Sequence, residues 1–166
     1  MTRKPVKWVR LAGARALILL VIGVGASAVA AAEEPETEED SRHGVALFAG
    51  VTDDDQETAF SLGLDYEYKL NRRLGIGGLL DIAFGDLRAG VLGVPIFVHP
   101  TEQLKLLGAP GFERREGENN FLVRLGGSYV FEVGRVGLAP AFFVDFVDEE
   151  EVDVVYIFGL AFEWEF

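Results

Sequence analysis

Arg124 is the residue of this chain best suited to chemistry inside a fold. In its run, Phe121, Val123, Leu125, Tyr129 and Phe131 share one side, and Arg124, Ser128 and Glu132 share the other. Carboxylates hold the matching sides of other runs: Asp65, Glu67, Asp81, Asp145 and Glu163. A guanidinium fork among carboxylates has two uses. It can gate a narrow water path, or it can hold strands in register as a satisfied ion network. The second asks for nothing beyond packing and is the plainer reading. Arg88 and Lys105 lie in runs of ambiguous register, so their membership stays open.

Other candidate chemistry is weaker. Asp53-Asp54-Asp55 and Asp148-Glu149-Glu150-Glu151 offer oxygen ligands that calcium or magnesium would accept, but neither run has the alternating ligands and central glycine of a calcium loop. Solvated surface charge explains both runs, with a secondary use as sites where divalent ions bridge to lipid phosphates. Lipid hydrolysis needs a nucleophile activated by a base. The two histidines, His43 and His99, are followed two residues on by Val45 and Thr101, not by serine. A girdle or turn position accounts for both. Gly23-Val24-Gly25 precedes no strand–helix unit, cysteine is absent, and no histidine pair has zinc spacing. The expectation is no enzyme and no cofactor.

The elements that would position these residues are strands. From residue 43 onward, apolar-rich runs alternate with short polar breaks, giving eight expected strands at 43–52, 57–70, 73–85, 88–98, 104–112, 120–132, 135–147 and 153–166. The last run has the clearest period of two: Val154, Tyr156, Phe158, Leu160, Phe162, Trp164 and Phe166 against Val155, Ile157, Gly159, Ala161, Glu163 and Glu165. In the second, Phe60, Leu62, Leu64, Tyr66, Tyr68 and Leu70 oppose Ser61, Gly63, Asp65, Glu67 and Lys69. Pro95 and Pro110 make the fourth and fifth less regular, because proline removes a ladder donor. One side of every run is greasy; the other carries glycine, alanine and charge. Small residues suit the inside of a narrow closed barrel, and about ten alternating residues suit a tilted strand crossing a bilayer. An even strand number lets the sheet close without a free edge, which hydrocarbon would not tolerate.

The N-terminus supports export. Arg3, Lys4, Lys7, Arg10 and Arg15 form a basic leader, followed by an uncharged apolar run from Ala16 to Gly25 and small residues through Ala32. That is the pattern of a cleavable signal peptide of the general secretory route, cut near Ala30 or Ala32. The expected organisation is a signal peptide at 1–32, an acidic disordered tail at 33–42 and a barrel domain at 43–166. Five of the 15 basic residues lie in the leader, leaving ten against 27 acidic ones, a formal −17. A surface of that sign does not seek nucleic acid or anionic lipid unaided.

The pattern resembles the small eight-stranded outer-membrane barrels of Gram-negative bacteria, such as the transmembrane domain of outer-membrane protein A and the opacity-type surface proteins. The residues carrying it are Leu64-Asp65-Tyr66-Glu67-Tyr68, the turn from Leu70 through Gly77, and the closing Phe162-Glu163-Trp164-Glu165-Phe166. The resemblance implies an all-β, up-and-down transmembrane barrel in the bacterial outer membrane, a monomer in contact with membrane lipid and lipopolysaccharide. It also implies that Phe166, with Trp164 and Phe162 on the same side, is read by the barrel-assembly machinery. Longer charged connections would face outward (52–57, 85–88, 113–120 and 147–153), and tight turns inward. Three functions follow: a structural or surface-interaction barrel with a filled polar interior, a narrow channel for water or small ions, or a periplasmic calycin-like binder with an apolar cavity.

Overall fold

A computed structural model describes residues 42–54, 57–85, 87–133, 136–149 and 152–166. The expected signal peptide, the tail up to residue 41, and Asp55, Glu150 and Glu151 lie outside the described residues. All regular structure among the described residues is strand: β1 (His43–Asp53), β2 (Thr58–Asn71), β3 (Leu74–Ala83), β4 (Ala89–Gly93), β5 (Ile96–Val98), β6 (Leu104–Arg115), β7 (Glu118–Tyr129), β8 (Phe131–Val133), β9 (Val136–Asp148) and β10 (Val152–Glu165).

These ten segments make eight barrel strands. β4 and β5 are one strand in register, since Gly93 opposes Gly111 and Ile96 opposes Gly108 on β6 without a shift. Pro95 interrupts the ladder there because it has no N–H to give, while its carbonyl still accepts the Gly77 N–H at 3.0 Å. β7 and β8 likewise form one strand against β9, broken only where the Val130 N–H turns to the Gln103 carbonyl at 2.7 Å. Every pairing is antiparallel, and β10 pairs β1 as well as β9, so the sheet closes on itself. The seam runs to the chain end: His43 N–H donates to the Phe166 carbonyl at 3.1 Å, and Phe166 N–H returns the bond at 2.8 Å. No strand edge is left for solvent or lipid to meet.

The period of two decides which side chains enter. Leu64, Leu80, Phe142, Phe158 and Leu160 point outward and are roughly half exposed, whereas Phe48, Leu79, Phe97, Leu107 and Phe143 are buried inside. The exterior is thus an apolar band and the interior mixes small, aromatic and charged groups. That distribution inverts the one a water-soluble barrel needs and matches a barrel solvated by hydrocarbon.

One expected connection is much shorter than its composition suggested. The charged stretch 113–120 is not a loop: β6 continues to Arg115, β7 begins at Glu118, and only Glu116 and Gly117 turn. Both have positive φ, 52° and 95°. That is the twist-matched two-residue hairpin, and Gly117 adopts it at no steric cost. Its charges are accommodated because Glu113 and Arg115 point into the barrel mouth, where solvent and counter-charges are at hand.

Candidate functional site

The barrel interior holds the residues able to do chemistry, and it is filled. Antiparallel register sets Arg124 of β7 directly opposite Asp145 of β9. Nε and Nη2 of Arg124 donate to the two Asp145 carboxylate oxygens at 2.7 and 2.8 Å, a bidentate fork. Nη1 donates to Asp81 of β3 across the lumen. The guanidinium also lies 5.6 Å from the centre of the Phe143 ring. Arg124 is 3% exposed and Asp145 3%, so this cluster is cut off from bulk water.

A second ionic cluster lies nearer the end carrying the chain seam. Lys105 of β6 reaches Glu163 of β10 at 2.6 Å and Glu67 of β2 at 3.6 Å. The other Glu67 oxygen is 2.7 Å from His99 Nε2. The Lys105 ammonium also sits 5.6 Å from the Phe97 ring centre. Between the two clusters lie Phe48, Phe143, Leu79 and Leu107, with the Phe48 and Phe143 rings edge-on at 5.9 Å.

The glycines on the inner side are space for these groups. A Cβ at Gly63 would land on the Asp81 carboxylate, and one at Gly75 on that of Glu67. Three lumen voids bounded by described residues are about 10 to 20 Å³ each, enough for single waters and far below a small-molecule site. A calycin-like binding cavity is therefore not what this lumen provides. The outward apolar band removes the same reading from the other side.

The five carboxylates expected around Arg124 do not form one network with it. Asp81 and Asp145 meet it; Glu67 and Glu163 meet Lys105 instead. Asp65 faces a small void beside Lys105 and Glu163 and makes no direct ion pair with a described residue. The division follows from height in the barrel: Asp65 and Glu67 are two and four residues further along β2 than Gly63, which faces Asp81. Arg88 points outward and joins neither cluster. His99, expected at a turn or girdle, ends the fourth barrel strand with its ring turned inward onto Glu67. Its alternation with Phe97 and Pro95 was the available signal, obscured by the proline.

At the outer rim, Arg115 turns into the mouth and pairs with Asp54 at 2.9 Å. Outward-facing Arg114 marks the top of the apolar band, so Arg115 lies beyond it. Burial pulls its guanidinium down, and the Asp54 hydrogen bond and charge more than reverse this, leaving it above its ordinary value. Asp53 accepts from the Thr58 hydroxyl, and Glu149 from the Asn120 amide at 2.9 Å. Asp148 is the last residue of β9. Among the described residues no three acidic or histidine side chains converge as a metal cage. At the opposite end, Phe162 and Trp164 face outward, and Phe166 stacks on the His43 ring at 5.8 Å.

No family model and no curated protein sequence matches the chain. Solved structures do. The chain is similar to the N-terminal β-barrel domain of Pseudomonas aeruginosa OprF, with TM-score 0.51 and 11% identity over 76% of this chain and 100% of that one. It is similar to Ail, the attachment invasion locus protein of Yersinia pestis, solved with the heparin analogue sucrose octasulfate: TM-score 0.51, 13% identity, 77% and 100% covered. A de novo designed transmembrane β-barrel matches as well, at TM-score 0.50 and 12% identity over 77% and 99%. At such identities the likeness concerns the fold. The chain has the fold of small eight-stranded outer-membrane barrels.

Proposed function

We propose that this chain is an integral outer-membrane barrel with a structural or surface-interaction role, and that its ionic interior stabilises the barrel. The observation that carries the reading is the pairing of a closed, outward-apolar sheet with a lumen filled by mutually satisfied charges and rings. Interior charge of this kind is tolerable where lipid solvates the outside and partners neutralise the inside. Its partners on this reading are membrane lipid and lipopolysaccharide, and the assembly machinery during biogenesis through Phe166, Trp164 and Phe162. Export through the general secretory pathway follows from the leader, and the barrel acts as a monomer without a cofactor. A lipid hydrolase is disfavoured because Val45 and Thr101, not serine, stand two residues after His43 and His99.

Fractionation of the expressed gene product, with gel mobility before and after heating, tests this. Recovery in the outer membrane with a heat-shifted band is the expected result; soluble periplasmic recovery overturns it. Deleting Phe166 should leave the chain in the periplasm, and unchanged membrane levels would remove its assembly role.

The channel reading rests on the Arg124 fork and the small voids beside it. The Phe48–Phe143 layer between the two ionic clusters opposes it, since an ion would cross it without ligands. Stable unitary conductance steps in a planar bilayer, abolished by Arg124→Ala, would favour the channel.

A further inference from the structure

An open hollow lies not in the lumen but on the outside of the barrel. It is a groove of about 690 Å³ at the rim opposite the chain seam, where β3, β4 and β6 run side by side. Register explains it. Ile82, Gly90 and Arg114 form one outward-facing row across the three strands. Gly90 has no side chain, and a Cβ there would meet nothing closer than the Asp81 carbonyl at 3.9 Å, so the row has a gap at its centre. Phe84, stacked on Phe60 at 6.1 Å, walls one side. Below the gap the surface continues into exposed Leu92 and Phe112, the lipid-facing band.

Two guanidiniums overlook this apolar hollow, those of Arg88 and Arg114. Both residues are exposed, and neither has an ion pair or hydrogen bond with another described residue. Arg88 is further held in a left-handed backbone conformation, φ 37°, which arginine rarely adopts. Among the described residues the acid lining the groove is Glu116, in the turn above. Of the other described rim acids, Asp53, Asp54, Glu57, Asp148, Glu149 and Asp153 belong to the β1–β2 and β9–β10 hairpins on another side of the barrel, while Glu113 turns into the lumen and Glu118 starts β7 across the turn. Two forks without a partner among the described residues thus stand over a greasy groove.

We infer that this groove binds the phosphorylated saccharide head of an outer-leaflet lipopolysaccharide, Arg88 and Arg114 taking its phosphates and the gap over Gly90 seating the upper part of an acyl chain. The inference rests on the outer-membrane reading, which puts the end opposite the termini at the cell surface. Guanidinium forks match phosphate oxygens bidentately, and a lipid-immersed flank strengthens the contact. A soluble phosphate would use the arginines but not the groove. An ordinary acyl chain would use the groove but not the arginines. Only a lipid carrying phosphate at the interface uses both.

The test places the full chain in phosphatidylcholine nanodiscs and titrates purified lipopolysaccharide, its dephosphorylated form and phosphatidylglycerol, reading bound lipid by native mass spectrometry. Saturable lipopolysaccharide binding is expected, weakened about tenfold or more by R88A/R114A, by R88Q/R114Q or by removing the phosphates. G90F, which keeps both arginines and fills the hollow, should weaken it as well. K69A, at the opposite end, should not. Unchanged binding by both double variants overturns the site, and equal arginine-dependent binding of phosphatidylglycerol overturns the choice of lipopolysaccharide. Heat-shifted mobility is read in parallel. A wild-type chain without a shift overturns the outer-membrane reading and the groove together; a shifted chain without arginine-dependent binding overturns the groove alone.

Discussion

The two ionic clusters in the lumen use the same chemistry and are built for different conditions. Arg124 grips Asp145 with both arms and Asp81 with its remaining nitrogen, at a level where the side chains of Arg124 and Asp145 are each 4% exposed. The Lys105 cluster joins flexible side chains through a point charge, and Lys105 and His99 keep 15% and 12% of their side-chain surface. A planar fork in a dry layer defines a geometry; an ammonium near the barrel end tolerates several. The contrast separates a fastening across β3, β7 and β9 from an adjustable seal at the end where the chain closes.

Removing the fork should do the most damage. Arg124→Ala leaves two buried carboxylates without their cation and should cost about 3–5 kcal/mol, read as a lower urea midpoint for loss of the heat-resistant band. Replacing Arg124, Asp81 and Asp145 together by apolar residues should recover most of that loss, because no charge is then stranded. A single-variant cost no larger than that of Lys105→Ala would erase the distinction between the clusters.

The exterior supplies the next test. Leu64 points outward midway along β2, between Phe60 and Tyr68, so Leu64→Arg should cost about 2–4 kcal/mol in lipid. A neutral result in the same titration would mean that this surface does not meet hydrocarbon. Lys105→Ala should cost less than Arg124→Ala, about 1–3 kcal/mol, since Glu67 keeps His99 as a partner at 2.7 Å and Lys105 itself retains 15% of its side-chain surface. Smallest of all, Gly117→Ala in the left-handed turn should cost about 1 kcal/mol and leave both clusters intact. If it instead weakened the barrel as much as Lys105→Ala, the rim hairpin would be a third fastening.

The strands were legible because burial imposes a local rule: within one strand, inward and outward residues must alternate. Hence Phe60 through Leu70 and Val154 through Phe166 could be sorted onto faces before any partner was known. Length failed where local signals competed. Acidic and basic residues from Glu113 to Asn120 read as a loop, yet the glycine at 117 let a two-residue turn carry them as strand. His99 falls just past the strand expected at 88–98, and only closure of the barrel turns its ring onto Glu67.

Local sequence is enough to make β-strands with one greasy side and one small, charged side, and to give the basic and apolar leader the form of an export signal. Those properties depend on residues close along the chain. Which carboxylate meets which cation was decided only by closure of the barrel, which sets the relative height of strands dozens of residues apart. The same holds for the groove over Gly90. Ile82, Gly90 and Arg114 lie on three strands, and only the register aligns an absent side chain with two arginines that pair with no described residue.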